Sequence, residues 1–359
     1  MTAPARRRPV ISAWTAISPF GYGREAFADG VRSRREPTID SGTQGDPAAI
    51  VPSFDVREMF GRKKTRAMNR VSGLTVAAAQ QLLADMELAP DGDREHIGFV
   101  LGTTTGSAQS MMDLTRASIT GEQPDHVEPA AVPGTVMNCA AGQAAIWHGL
   151  KGPNATIAAG RTTGLQALNY ARRLLMTDRA AQVLCGAAEE HSDARSWLEH
   201  HRRGGSATLG EGCAMFLLEP ADSADPRSVL ATLTGIDSRI CLDGDLAGTL
   251  HATVSSLLKR SGVAAERVWA AVGSGFPAGS ERPEDATLRQ LFGDEVTDRV
   301  PPVDLIGDTS AATALFGLAS VLSIADGAEH GEQDHIVVTA CDDDGSVACA
   351  LLQLGGESR

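Results

Sequence analysis

One short stretch of the sequence combines an apolar strand, a tight turn and a helix start. In "GPNATIAAGRTTGLQAL" (152–168) the apolar run ends near Gly160, and helical periodicity begins just after Arg161. A helix N-terminus presents free N–H groups and partial positive charge, so this point favours an anion or a nucleophile and disfavours a guanidinium. Arg161 cannot become a nucleophile, because a guanidinium stays charged in proteins and has no free electron pair with which to attack. The turn therefore has the position of a nucleophile site without a nucleophile.

A second group that could act as a nucleophile is Cys139 in "VMNCAAGQ", with His148 nine residues further on. At about 100° per residue the two side chains lie on poorly matched faces of one helix. A buried cysteine is more often structural than catalytic. A relocated nucleophile at Cys139 is therefore the weaker interpretation.

The cysteine pattern does not predict a metal site. The six cysteines show no C-x-x-C pair and no Cys/His spacing of the kind that binds zinc. Most of them lie within apolar runs. We expect buried, reduced thiols in a cytoplasmic protein, with no metal and no disulfide.

Strand-like and helix-like segments alternate along the chain and would position these groups. Apolar strand-like runs occur at 97–102, 155–160, 181–187, 213–219, 229–237, 268–275, 335–341 and 347–354, and "VISAW" near the N-terminus reads as a first strand. Helical periodicity occurs at 73–87, 164–178, 246–262 and 311–327. This alternation predicts an α/β protein built in layers.

The chain also contains an internal repeat. "TGLQALNYARRLLMTD", ending at Asp178, aligns without a gap with "AATALFGLASVLSIAD", ending at Asp326, and a polar connector and an apolar strand follow each copy. "VLCGAAEE" and "GEGCAMFLLEP" then correspond to "VVTACDDD" and "GSVACALLQL". The repeat predicts two duplicated halves, residues 1–220 and 221–359, that meet at the polar junction 221–228.

Composition and charge exclude several classes of protein. With 359 residues and 42% hydrophobic residues, the chain can bury a large core. A formal net charge of −13 argues against nucleic acid and anionic membranes as partners. The start, "MTAPARRRPVISAWTAISPFG", has too short an apolar run for a secretory signal, and nowhere are there about 18 consecutive apolar residues. We therefore expect a soluble, cytoplasmic protein.

These features together resemble the thiolase fold, and in particular the β-ketoacyl synthases. The resemblance runs nearly end to end, through "VISAWTAISPFGYGREAFADGVRSRR", "FDVREMFGRKKTRAMNRVSGLTVAAAQQLLADMEL", "GLKGPNATI", "GEGCAMFLLEP" and "DATLRQLFGD". It implies a five-layer αβαβα fold built from the two duplicated halves. Active members use a cysteine at the strand-to-helix turn and two histidines, and they need no metal or dissociable cofactor.

None of those three catalytic positions keeps its residue here. By the resemblance, the cysteine position falls on Arg161, the first histidine on Gly273 in "GSGFPAGSERPED", and the second on Gly307 or Asp308 in "IGDTSAATAL". The Gly-Phe-Gly-Gly turn of active members is "CDDDGS" (341–346). A buried guanidinium without a carboxylate would be very costly, so Arg161 needs a partner. The topology that the resemblance implies brings the loops of Asp308 and of Asp342 to Asp344 close to it, and these residues are therefore the candidates.

Within the family the chain is most similar to the chain-length factors of type II polyketide synthases. They carry a non-nucleophilic side chain at the cysteine position and a Gly-Gln pair, here Gly142 and Gln143. The resemblance implies three partners: an active ketosynthase in a heterodimer, an acyl carrier protein and the growing polyketide. The chain departs from the pattern in having Arg161 instead of glutamine and a short stretch from Glu190 to Gly210.

Two further groups of residues are candidates for contacts. A basic segment stands out against the acidic total, and it suits an acidic carrier protein, the partner subunit or simply solvent; its residues are Arg62, Lys63, Lys64 and Arg66. The resemblance places tunnel residues between Gly106 and Met137, and those that could stop a growing chain are Met111, Met112, Leu114 and Met137. The alternative for each of these four is an ordinary core position.

The leading hypothesis is therefore a catalytically inactive ketosynthase-like subunit. It would pair with an active ketosynthase, complete an acyl tunnel at the interface and limit chain length during condensation of malonyl-carrier-protein units. Two alternatives stay open. One is a self-contained enzyme, either a malonyl decarboxylase that uses Arg161 or an acyltransferase with a relocated nucleophile. The other is a homodimeric pseudoenzyme that only binds an acyl chain or a carrier protein.

Overall fold

A computed structural model of the chain describes residues 8–40, 47–86, 94–203, 208–275, 282–331 and 333–355. The strands are β1 (Pro9–Ser18), β2 (Gly21–Tyr22), β3 (Ile39–Asp40), β4 (Ala48–Ala49), β5 (Ile97–Gly102), β6 (Asn154–Ile157), β7 (Gln182–Glu189), β8 (Leu209–Gly210), β9 (Gly212–Pro220), β10 (Ala231–Ile240), β11 (Val268–Val272), β12 (His335–Cys341) and β13 (Ser346–Leu354). The helices are α1 (Gly23–Arg32), α2 (Val56–Phe60), α3 (Arg70–Asp85), α4 (Ala108–Thr120), α5 (Cys139–His148), α6 (Thr163–Met176), α7 (Asp193–Arg203), α8 (Leu246–Ser261), α9 (Pro283–Phe292), α10 (Asp294–Thr297) and α11 (Thr313–Ala325). Short 3-10 turns include Pro129–Thr135, Val303–Ile306 and Ser310–Ala312.

The strands of the described residues form one large mixed sheet and one small one. The large sheet has the order β11-β12-β13-β10-β1-β9-β7-β5-β6, with β2 paired to β1. The small sheet is β3-β4-β8. Read outward from the contact between β1 and β10, one side of the sheet has the order β1-β9-β7-β5 and the other has the order β10-β13-β12-β11. The two sides therefore match strand for strand, which is the arrangement expected of two duplicated halves.

Helices pack on both faces of the sheet and between its two wings. α3 and α5 cover the outer face of β5, β7 and β9, whereas α8 and α9 cover the outer face around β11, β12 and β13. α6 and α11 contact each other and strands of both wings, so they form the central layer. The architecture is therefore the five-layer αβαβα arrangement of the thiolase fold.

Three apolar cores fill the spaces between these layers. The largest lies around α6 and α11, the second between α3 and the first wing, and the third between α8 and the second wing. Along β7, Cys185 points into the central core and Leu184 into the outer one. This alternation follows from the two-residue period of a strand, and it explains why strands covered on both faces read as continuous apolar runs.

The predicted elements are present, with shifts of a few residues at their ends. The strand predicted at 155–160 is shorter, because β6 ends at Ile157 and the turn takes over the remaining residues. The basic segment lies in the loop between α2 and α3, and α3 begins after Asn69, whose side chain accepts a hydrogen bond from the Ser72 N–H. No helix among the described residues is long and apolar enough to cross a membrane. The boundary at residues 220 and 221 stays a prediction.

Candidate functional site

The turn before α6 is built by the residues on either side of Arg161. Thr163 Oγ1 accepts a hydrogen bond from the Ala159 N–H at 2.8 Å, and Thr162 Oγ1 donates to the Ala159 carbonyl at 2.8 Å. Gly160 has a φ of 53°, in the left-handed region that favours glycine. These contacts direct the Arg161 side chain into the protein, where the residue is only 4% exposed.

The guanidinium of Arg161 forms a buried ion pair with Asp308. Nη2 donates to Asp308 Oδ2, and the two side chains are only 5% and 9% exposed. Nη1 lies 3.4 Å from the Ser274 carbonyl oxygen. Asp308 is itself held in place, because its Oδ1 accepts from the Ser310 N–H at 2.8 Å. Two of the three positions that the resemblance assigns to catalysis therefore hold a mutually neutralised pair.

Asp342 occupies the anion-binding point of the turn. Its Oδ2 accepts a hydrogen bond from the Arg161 backbone N–H at 2.7 Å. A Cβ at position 160 would lie 1.8 Å from the same oxygen, so the carboxylate comes this close only because residue 160 is glycine. Burial raises the pKa of Asp342, and its hydrogen bond to the Arg161 N–H acts in the opposite direction. The donor that a helix N-terminus could offer to a substrate oxyanion is therefore engaged by the protein's own carboxylate.

Gly273, the position that the resemblance assigns to the first histidine, faces a buried glutamate that the sequence pattern does not single out. A Cβ at Gly273 would lie 2.8 Å from Glu284 Cδ. Glu284 accepts hydrogen bonds from the Ser274 N–H at 2.9 Å, from Ser274 Oγ at 2.7 Å and from Thr339 Oγ1 at 2.7 Å. Burial raises the pKa of Glu284. Any side chain at position 273 would require Glu284 to move.

Residues 208–210 and Arg195 on α7 pack beside the site. The Asp308 N–H donates to the Thr208 carbonyl at 2.8 Å, and the Gly210 N–H donates to the Asp308 carbonyl at 2.9 Å. Arg195 on α7 donates to the carbonyls of Gly210 and Asp308 at 2.7 and 2.8 Å. A cavity of about 220 Å³ remains beside the ion pair; its lining includes Arg161, Ser274, Arg282, Asp304 and Asp308.

The predicted tunnel residues lie outside this site, on the surface of the isolated chain. Met111, Met112 and Met137 are 44%, 36% and 41% exposed. Leu114 is half-buried on α4, the helix that also carries Met111 and Met112, and Ala108 is the only buried residue of that helix. Ile146 on α5 is 85% exposed. The alternative interpretation, an ordinary core position, is therefore wrong for the three methionines.

The Gly-Gln pair and the basic segment lie close to each other. Gln143 Nε2 donates to the Ala67 carbonyl at 3.0 Å, which ties α5 to the loop before α3. Gly142 has open space around the position of a Cβ. The four basic residues of that loop are exposed, and Arg66 lies 3.9 Å from Glu128; they are Arg62, Lys63, Lys64 and Arg66.

The cysteines lie in environments that differ in burial. Cys139 begins α5 and His148 ends it, and the His148 Nε2 lies 3.0 Å from the Val76 carbonyl oxygen. Burial raises the pKa of the Cys139 thiol, which is the opposite of nucleophile activation. Cys139 and Cys241 are partly exposed, whereas the other four cysteines are buried. The expectation of buried thiols is therefore wrong for these two. Within the described ranges no group of His, Cys, Asp and Glu residues could hold a metal ion.

Comparisons with known proteins identify the family. The N-terminal domain of the beta-ketoacyl synthases matches residues 32–224, which is more than half of the chain. A solved structure described as the ishigamide ketosynthase/chain length factor is 40% identical with a TM-score of 0.91, and the match covers 97% of this chain and 100% of that one.

Two enzymes are more distant relatives. The 3-oxoacyl-[acyl-carrier-protein] synthase 2 of Vibrio harveyi is 30% identical over 195 residues, which are 52% of this chain and 47% of that protein. The tetracenomycin polyketide synthase ketoacyl synthase alpha subunit of Streptomyces glaucescens is 27% identical over 267 residues, or 64% of this chain and 62% of that protein. The chain thus spans about half to three fifths of the length of these two relatives. Together with the fold, these matches show that the chain belongs to the beta-ketoacyl synthase family and is a ketosynthase-like protein similar to the chain-length factors of type II polyketide synthases.

Proposed function

We propose that this chain is a catalytically inactive ketosynthase-like subunit of a type II polyketide synthase. The observation that carries the proposal is the occupied site: Arg161 stands at the nucleophile position, pairs with Asp308 and gives its backbone N–H to Asp342. Acyl transfer needs a nucleophile and a free donor for the developing oxyanion. Arg161 supplies no nucleophile, and its N–H is already engaged by Asp342.

The alternative enzymes have weaker support. A decarboxylase built on Arg161 would need the guanidinium to hold a substrate carboxylate, yet Asp308 already takes that place. Opening the pair would leave Asp308 uncompensated at 9% side-chain exposure, which is costly. An acyltransferase that uses Cys139 would start from a thiol with a raised pKa and without a histidine beside it.

The exposed apolar side chains around α4 and α5 support a protein partner. Met111, Met112, Met137 and Ile146 are each at least 36% exposed, and they lie on α4, on α5 and on the segment that joins these helices. Apolar side chains grouped on a surface mark interaction sites. The partner we propose is an active ketosynthase, in a heterodimer whose interface encloses the acyl tunnel. In that tunnel Met111, Met112, Leu114 and Met137 would limit the length of the polyketide.

The exposed basic loop supports a second contact, with an acyl carrier protein. Arg62, Lys63, Lys64 and Arg66 concentrate positive charge on a chain whose net charge is −13. Complementary charge guides association and fixes orientation. Free thiols also suit the reducing cytoplasm, where we propose that the complex works.

Co-expression with a ketosynthase encoded beside the gene tests the proposal. We expect a stoichiometric complex that elongates malonyl units on a carrier protein, whereas either subunit alone is inactive. A matched variant, Ile146→Lys, places a charge on the exposed apolar surface and should abolish co-purification, whereas Ile240→Lys, at a site that is 59% exposed on β10, should not. Elongation by this chain without a ketosynthase would refute the proposal.

A further inference from the structure

A groove of about 440 Å³ lies at the C-terminal ends of α6 and α8. Its walls are the start of β1 at Arg8, the middle of β10, Arg172 and Met176 on α6, and Arg260 on α8. α6 is 14 residues long and therefore about 21 Å from end to end, which separates this groove from the Arg161 turn. The groove is thus distinct from the vacated catalytic site.

The groove has an apolar floor. Leu233 and Leu257 form its base and are 2% and 3% exposed, and Ile236 and Met176 are half-buried beside them. The main chain of β10 has a β-bulge at this point, between Leu233 and Gly235. A bulge bends a strand away from its neighbour and opens space beside it. The volume falls within the range of about 300 to 1,000 Å³ that is typical of small-molecule sites.

The rim of the groove is positively charged. It carries Arg8, Arg172 and Arg260, of which only Arg260 has a carboxylate partner among the described residues, Asp237 at 3.1 Å. Helix C-termini favour cations, which accounts for basic residues near the ends of α6 and α8. It does not account for a half-buried guanidinium that faces an apolar groove.

Arg172 is the residue that points to a ligand. Its guanidinium donates to Asn169 Oδ1 at 3.1 and 3.3 Å and to Met176 Sδ at 3.1 Å, so neutral acceptors are its hydrogen-bond partners within the described chain. Burial lowers the pKa of Arg172, and the neighbouring Arg173 lowers it further. A partly desolvated cation held by neutral acceptors gains most from an anion that brings its own charge.

We infer that this groove is a binding site for an aliphatic carboxylate. The carboxylate lies against Arg172 and Arg8 at the rim, and the hydrocarbon chain follows the floor formed by Leu233, Ile236 and Leu257. This ligand combines the two properties of the groove, an unneutralised charge and an apolar base. The inference is independent of the function proposed above, because it uses neither the Arg161 turn nor the α4 surface.

Binding of decanoate to the purified chain, in whichever assembly it purifies, tests the inference by isothermal titration calorimetry. We expect saturable binding that Arg172→Gln weakens by about tenfold or more, because a hydrogen-bonded charge pair contributes that much. Arg173→Gln removes the same charge from the neighbouring exposed position and should leave the affinity unchanged. Ile236→Glu, which puts a carboxylate on the floor, should abolish binding while the thermal unfolding midpoint stays near that of the wild type.

Two ligands separate the parts of the site. 1-Decanol lacks the charge and inorganic phosphate lacks the chain, so both should bind at least tenfold more weakly than decanoate. Phosphate binding as tight as that of decanoate would overturn the assignment of an aliphatic ligand. Decanoate binding that is equal in Arg172→Gln and in the wild type, or absent from the wild type, would overturn the site itself.

Discussion

Replacing Arg161 with alanine should destabilise the protein far more than the loss of an ordinary surface ion pair. The Arg161 and Asp308 side chains are 5% and 9% exposed, so the variant leaves a buried carboxylate without its cation. Breaking a buried pair by removing one partner costs about 3–5 kcal/mol. Arg202 is 42% exposed and pairs with Asp343 and with Glu199, which are 52% and 18% exposed, and Arg202→Ala should cost about 1 kcal/mol because solvent reaches the guanidinium.

A double variant separates the ion pair from the loss of arginine packing. Arg161→Ala combined with Asp308→Asn removes the uncompensated charge, whereas the amide oxygen of the substituted side chain can still accept from the Ser310 N–H. The double variant should therefore be more stable than Arg161→Ala alone by about 1–3 kcal/mol, the cost of leaving a buried group without its partner. Urea unfolding of the four proteins, in the same assembly, measures these differences. The reasoning is refuted if Arg161→Ala costs no more than Arg202→Ala, or if Asp308→Asn adds to the loss instead of reversing it.

Three other predictions concern the pH response and the two contact surfaces. Burial raises the pKa of Glu189 from 4.5 to about 7. The stabilisation that comes from its protonated form is therefore fully present below pH 4.5 and is lost as the pH rises through 7. Glu189→Gln should remove a decrease of roughly 3 kcal/mol in the free energy of unfolding, measured with urea between pH 5 and 8. In the proposed complex, Met112→Trp should shorten the products seen by mass spectrometry without reducing the amount of complex, and unchanged lengths would remove Met112 from the tunnel. The double variant Arg62→Glu and Lys64→Glu should weaken carrier-protein binding several-fold at low salt, with the difference shrinking at high salt; an effect that is independent of salt would contradict docking by charge.

The layers of this fold could be predicted from the sequence because local patterns determine them. The run "IGFVLG" at 97–102 is β5 to the residue, and the helix of each repeat was placed within a few residues of its observed start. The position of Arg161 at a strand-to-helix turn was also predictable, since the apolar run, the glycine and the helical periodicity are all contiguous. So was the need for a carboxylate near Arg161, which follows from the cost of burying a charge.

The rest of the site depends on contacts that are distant in sequence. Asp342 accepts a hydrogen bond from the Arg161 N–H, 181 residues away in the sequence. The Thr208 carbonyl accepts one from the Asp308 N–H, 100 residues away. Nothing in the local pattern around Glu284 distinguishes it from an ordinary acidic residue in a first helical turn, although its burial beside Gly273 makes it part of the site. The exposure of Met111 and Met112 on α4 is not predictable either, because a sequence pattern does not distinguish the interior of one chain from its surface.

Mapping covalent adducts on the reconstituted complex tests the central claim most directly. The complex of this chain with its ketosynthase would be incubated with an acyl-carrier-protein donor, and the intact mass of each subunit would be measured. We predict an acyl adduct on the ketosynthase and none on this chain, with elongation lost when the ketosynthase nucleophile is replaced. An acyl group on any of the six cysteines of this chain, with elongation surviving that replacement, would contradict the account.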